Sequence, residues 1–177
     1  MVLFLLCMKC ETENIGEIEL RKDANLRISV RNPLSDSEVR DNVVLNPSET
    51  VEQEENSREP AHHFRMKWEG SKKPSILRVM DAKEAAAALK KKKHKHGQPR
   101  NYTGDDSGDW VPLLAMECRG LEPYEFLPMK DEFVITSEGG CRFDEEIELG
   151  DGEWAEYDAE NDCPVSLEDI QFKFEVI

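Results

Sequence analysis

Apart from the leading Met1, no stretch of this chain is apolar for longer than seven residues. That one, Val2 to Met8, runs into Lys9 with no basic segment before it and no small-residue cleavage pattern after it. A membrane-crossing helix needs about 20 apolar residues, so neither a helical span nor a secretory leader is expected. Cysteine is sparse and odd in number: Cys7, Cys10, Cys118, Cys141 and Cys163. Scattered thiols do not make the disulfide framework of a small secreted domain, so free thiols in a cytoplasmic compartment, with the nucleus as a second address, are the expectation. Positive charge is also scarce, 23 lysines and arginines against 38 aspartates and glutamates. The net charge of −15 excludes a general nucleic-acid binder, because the molecule as a whole repels phosphate. Missing too are G-x-S-x-G, a glycine-rich phosphate loop ending in Lys and Ser/Thr, and H-E-x-x-H. Carboxylates are so abundant that no pair stands out as a general acid and base, and no enzymatic activity is expected.

What is present suits a single folded domain over residues 1–177. Short alternating runs at Leu26–Arg31, Phe64–Glu69 and Phe172–Val176 put apolar side chains on one face at period two. Further strands are expected at Val2–Met8, Asn42–Leu45, Ile76–Met80, Leu113–Cys118, Phe133–Ile135 and Ile147–Leu149, separated by Asn-Pro, Gly-Gly and Asp-Gly turn signals. The fold class is therefore all-β, a sandwich of two mainly antiparallel sheets with one inserted basic helix. Residues 47–60 are polar and acidic and are expected to form a mobile loop. A helix should start after Asp81, which can cap the amide of Glu84 while Glu84 reaches back. Alanines and lysines should then carry it to the stop signals Gly97 and Pro99. Residues 81–109 are expected to be an insertion made of this helix and a linker.

Charge falls in blocks: −6 over residues 1–63, +9 over 64–100 and −18 over 101–177. Only the middle block could touch a polyanion, through Lys90, Lys91, Lys92, Lys93 and Lys95. The stronger expectation is a solvated run loosely tethered to the chain's own acidic C-terminal block, with nucleic acid an unfavoured partner.

For metal chemistry the first candidate is Cys7-Met8-Lys9-Cys10, since a C-x-x-C pair can supply half of a tetrahedral zinc site. It has no second pair, and on a strand two residues three apart face opposite ways. His62-His63 and His94-x-His96 make no chelate unaided, for the same geometric reason.

One segment is far more specific. Leu114-Ala115-Met116-Glu117-Cys118-Arg119-Gly120-Leu121-Glu122-Pro123-Tyr124-Glu125-Phe126 closely resembles the E-C-R-G-L-E-P-x-x-F segment of the eukaryotic CXXC-motif-containing zinc-binding protein family. The resemblance continues through Gly152–Asp158, similar to that family's E-W-x-x-Y-D, and through Cys163-Pro164-Val165-Ser166. At the other end Leu6–Ile15 is similar to the family's opening strand.

The resemblance implies an all-β sandwich and two C-x-x-C knuckles that share one zinc. By it the first knuckle falls at Val30 and Pro33 and the second at Trp68 and Ser71, so all four ligands are absent. Valine, proline and tryptophan offer zinc no lone pair. Metal-linked folding free energy on the order of 10 kcal/mol would be lost, and Trp68 is expected to pack inside as partial replacement. Within the motif, Gly120 suits a turn, Pro123 the end of a strand, and Arg119 with Glu122 a surface ion pair. The function implied is a non-enzymatic, monomeric interaction or adaptor module with an unidentified protein partner and no cofactor. The alternatives are a metal-handling protein that uses Cys7, Cys10 and a histidine, and a nucleic-acid-associated protein that uses the basic helix.

Overall fold

Apolar residues at every second position need a partner face to bury them, and among the described residues the chain forms thirteen strands. The computed structural model describes residues 1–94 and 97–177. Lys95, named above as a polyanion contact, and His96 lie outside the described residues. In chain order the elements are β1 (Val2–Glu13), β2 (Ile15–Leu20), β3 (Leu26–Asn32), β4 (Ser35–Leu45), β5 (Phe64–Met66), β6 (Ser75–Val79), α1 (Ala82–Lys91), β7 (Tyr102–Thr103), β8 (Val111–Arg119), β9 (Glu122–Phe126), β10 (Phe133–Ser137), β11 (Arg142–Phe143), β12 (Trp154–Asp158) and β13 (Cys163–Val176).

The fold is all-β and sandwich-like, as the alternation implies, but it has three sheets rather than two. A six-stranded sheet runs β12-β13-β1-β8-β6-β5, a four-stranded sheet β11-β10-β2-β7, and a three-stranded sheet β4-β3-β9. Asn14, at φ 54°, turns the long β1 directly into β2 and so moves the chain from the first sheet to the second. All three sheets contribute to one core: Phe4, Leu6 and Met8 from β1, Ile18 and Phe133 from the second sheet, Leu26, Ile28 and Val30 from the third. The rings of Phe126, Phe133 and Phe172 knit the sheets together, with centroids 4.9 Å apart for Phe126 and Phe172.

Alternate residues of β1 point the other way. Leu3, Leu5 and Cys7 form a second apolar cluster with Ala85 and Leu89 of α1, so the helix covers the outer face of the six-stranded sheet. Its start follows the sequence: Asp81 Oδ1 accepts the Glu84 N–H at 2.8 Å and Glu84 Oε2 accepts the Asp81 N–H at 3.1 Å. Its end comes earlier than expected. Lys93 adopts φ 54°, and the N–H groups of Lys93 and His94 close back on Lys90 O and Leu89 O. The apolar stripe stops at Leu89, so the following lysines have nothing to bury, and their mutual repulsion disfavours further turns.

Other expectations need correction. The stretch after the helix is no linker: Tyr102 is wholly buried, pairs with Ile18 through β7, and its hydroxyl donates to Asp106 O at 2.6 Å. Arg100 clamps this segment by two bonds to the Asp106 carboxylate, at 2.7 and 2.8 Å. Ile147 and Leu149 are buried yet form no strand, because Ile147 pairs with the loop residue Asp131 through both its N–H and its carbonyl. The run Phe64–Glu69 is strand only to Met66, since Trp68 opens a turn. Residues 47–60 do form an acidic loop without regular structure, held by bonds from Val51 N–H to His62 O and from Gln53 Nε2 to Pro60 O.

Candidate functional site

The segment most specific in sequence, residues 114–126, folds as β8, a Gly120–Leu121 turn and β9, and it joins two sheets. On one flank β8 pairs with β6, setting Arg119 opposite Ile76. On the other flank β9 pairs with β3, setting Pro123 opposite Val30 and Glu122 opposite Arg31. Gly120 takes φ +75°, and a Cβ there would lie 2.5 Å from Ser75 Oγ, so the turn has room only for glycine. Its carbonyl accepts two bonds, from Ser75 Oγ at 2.9 Å and from the indole Nε1 of Trp68 at 2.7 Å.

Two of the four positions expected to carry zinc ligands are therefore set around one turn. Val30, wholly buried, is on its β9 flank, and Trp68, half-buried and packed against the main core, is on its β8 flank. Pro33 and Ser71 sit outside this contact, exposed in tight turns that follow each residue. Pro33 is in the two-residue connection of the β3–β4 hairpin, where Asn32 and Ser35 face each other. The Ser71 N–H closes on Trp68 O at 3.0 Å across a turn that uses Gly70 at φ +77°. Two tight turns of the kind a metal knuckle is built on are present, and the side chains at 30, 33, 68 and 71 include no thiolate or imidazole.

These residues do not fit zinc. Val30 is aliphatic and sealed in the core, Pro33 has no donor atom in its side chain, and the Trp68 N–H is already given to Gly120 O. Ser71 Oγ donates to Lys73 O at 3.0 Å. Among the described residues no three His, Cys, Asp or Glu side chains gather in a way that could hold a metal ion.

The motif's charged residues reach outward to elements the sequence gave no reason to connect with it. Arg119 pairs with Glu59 of the acidic loop at 2.6 Å, and Glu122 pairs with Arg31 at 3.1 Å, so Arg119 and Glu122 are not partners of each other. The Arg119 hydrogen bond holds the Glu59 carboxyl below its usual range. Arg31 also stacks on the Tyr124 ring at 5.8 Å. Pro123, expected to end a strand, is instead buried within β9, and Cys118 and Leu121 are core residues. Ser75 and Glu59 were not legible as parts of this turn: they are 45 and 60 residues from their partners, and only the sheet pairing brings them there.

The remaining thiols and imidazoles do not converge. Cys7 and Cys10 belong to different apolar clusters on opposite faces of β1, as their spacing requires. Burial pushes their thiols up, to about 11 and about 12, so neither is a ready thiolate. His62 and His63 diverge. His62 is wholly buried beside Pro60 O and Gln53 Nε2, while His63 Nδ1 accepts the Val79 N–H at 2.9 Å. Burial lowers the His63 pKa, which keeps it neutral. Lys90 to Lys93 are exposed at the C-terminal end of α1 and make no ion pair among the described residues, so the expected tether to the acidic C-terminal block is not formed there.

Residues 5–175 match the family described as CXXC motif containing zinc binding protein, eukaryotic. The chain is 41 % identical over 73 residues to UPF0587 protein CG4646 of Drosophila melanogaster, a stretch that makes up 41 % of this chain and 44 % of that protein. It is 32 % identical over 73 residues to a CXXC motif containing zinc binding protein of Xenopus laevis, again 41 % of this chain and 45 % of the relative. These alignments span less than half the length of each relative. Two solved structures share the fold. A hypothetical protein from Plasmodium falciparum aligns over 100 % of both chains at TM-score 0.79 and 22 % identity. The crystal structure of C1orf123 aligns over 99 % of both at TM-score 0.80 and 17 % identity.

Proposed function

Because the chain belongs to the eukaryotic family of CXXC motif containing zinc binding proteins, we propose that it is a zinc-free member, a cytoplasmic, non-enzymatic interaction module that keeps the family's fold without its metal. The observation that carries this is the bond from the Trp68 indole to Gly120 O. It places a packed aromatic, which cannot ligate, where the resemblance calls for a cysteine thiolate. An aromatic seated against the core contributes through area removed from water, and its N–H adds a bond at a turn that joins two sheets. The β3–β4 hairpin supports the interaction role. It ends in Leu34, 93 % exposed, and β4 is an edge strand with Val39 and Val44 facing solvent.

Metal content of untagged protein together with thermal unfolding tests the proposal. Less than one-tenth of an equivalent of zinc or copper, and a Tm unchanged by EDTA, are expected. One equivalent of metal, or a fall of many degrees in chelator that zinc reverses, would overturn it and favour the metal-handling alternative. The exposed lysines at the C-terminal end of α1 support a polyanion as second reading. It is tested by RNA binding at about 0.15 M salt, where charge is screened within about 8 Å. No micromolar binding is expected of a chain with net charge −15.

A further inference from the structure

Strand β6 ends at Val79, and at that end, away from the Gly120 turn, the inserted segment does not close flush against the sheets. A cavity of ≈ 660 Å³ remains between them. That size falls within the roughly 300–1,000 Å³ typical of small-molecule sites. One wall is the insertion itself, with Asp81, Ala82, Glu84 and Ala85 of the helix start and Pro99, Arg100 and Asn101 beyond it. The floor is apolar, made by Val79, Met80, Leu113, Leu114 and Ala115, and the far rim is the Arg21–Lys22 turn that follows β2.

The charges of the rim are unequal in kind. Arg78 is neutralised from two sides, by Glu84 and Glu117, each at 2.8 Å. Arg100 is neutralised by Asp106, and Asp81 is committed to capping α1. His63 is neutral for the reason given above. Arg21 and Lys22, by contrast, have no carboxylate partner among the described residues. Arg21 gives one Nη2 bond, to the Asp144 carbonyl at 2.8 Å. The first turn of α1 also borders the cavity, adding the positive end of its dipole. Glu19 and Asp81 are the opposing groups, two carboxylates of the lining with no ion pair among the described residues, Asp81 being turned to the α1 amide it caps.

We propose that this cavity is a binding site for an amphipathic monoanion, a molecule with one carboxylate-type head group and an apolar body. The head group sits at Arg21 and Lys22, and the body lies on Val79, Met80 and Leu113 to Ala115. The site is built by the insertion and does not involve Val30, Trp68 or the Gly120 turn, so it stands or falls apart from the zinc-free reading.

Calorimetric titration at about 0.15 M salt, with chain length held constant, tests the proposal. Decanoate is the probe, and decanol and decyltrimethylammonium are the controls. Decanoate should bind saturably at one site and at least tenfold more tightly than either control. The double variant Arg21→Gln/Lys22→Gln should lose at least tenfold for decanoate and little for decanol. Glu19→Gln should strengthen decanoate binding severalfold. Ala82→Trp, a change at an exposed residue of the wall, should block it with the fold intact by circular dichroism. Absence of saturable decanoate binding, equal binding of the cationic or neutral probe, or binding indifferent to the Arg21/Lys22 and Ala82 variants would each overturn the proposal.

Discussion

The two ends of β6 have been treated in opposite ways. At the Ser75 end the groups around the Gly120 turn are paired with one another: Ser75 and Trp68 bond its carbonyl, Arg119 holds Glu59, and Arg31 holds Glu122. At the Met80 end the chain adds a helix attached through Ala85 and Leu89, leaves a cavity beneath it, and presents Lys90 to Lys93 to solvent. Side chains are matched to internal partners around the turn at one end, and at the other a run of lysines is left without ion pairs among the described residues. Stability should therefore be concentrated around Gly120, and tolerance around α1.

The hardest test of that contrast is Gly120→Ala. A left-handed φ costs a non-glycine residue about 1–2 kcal/mol, and overpacking against Ser75 Oγ adds about 1–3 kcal/mol. We expect a loss of about 3 kcal/mol in urea unfolding; a loss under about 1 kcal/mol would mean that the turn does not govern the junction of the sheets.

Trp68 comes next. Being half-buried, it should cost less than the roughly 3–5 kcal/mol of a fully buried tryptophan, so Trp68→Ala is expected to cost about 2 kcal/mol. Trp68→Phe, which keeps the ring packing and removes the bond to Gly120 O, should cost about 1 kcal/mol. Equal losses for the two variants would assign the whole effect to the hydrogen bond and remove the packing half of the argument.

At the other end the Arg100–Asp106 clamp is an electrostatic element whose pH dependence can be followed. The Arg100 hydrogen bonds hold the Asp106 carboxyl down to about 2. A depressed carboxyl stabilises the folded state above its unfolded value, near 3.9, and that contribution disappears as pH falls toward the folded value. Asp106→Asn should therefore be less stable than the parent by about 1 kcal/mol at pH 7, modest because Arg100 is half exposed. The two stability curves should converge between about pH 4 and pH 2. A difference that persists at pH 2 would show that the asparagine disturbs packing instead.

The smallest effect expected is that of changing Lys90 to Lys93 to Gln together. With no ion pair among the described residues, the four side chains should alter stability by less than about 0.5 kcal/mol. A larger loss would tie the run to the body of the protein and weaken the contrast between the two ends.

The sequence by itself determined whatever depends on neighbours along the chain. Period two marks β3 and the end of β13, short apolar runs mark β1 and β8, the Asp81/Glu84 pair marks the start of α1, and a spacing of three on a strand separates Cys7 from Cys10. The absence of cysteine at positions 30, 33, 68 and 71 is equally plain in the letters once the family resemblance has placed them. The tertiary structure decided what depends on residues distant in sequence. Tyr102 and the short β7 acquire their places only by pairing with β2, and Ile147 is held by an Asp131 that no local pattern connects to it. Sheet pairing likewise chose Glu59 over Glu122 as the partner of Arg119. It also set the length of α1, since a helix persists only as far as it has a face to bury, and that face ends at Leu89.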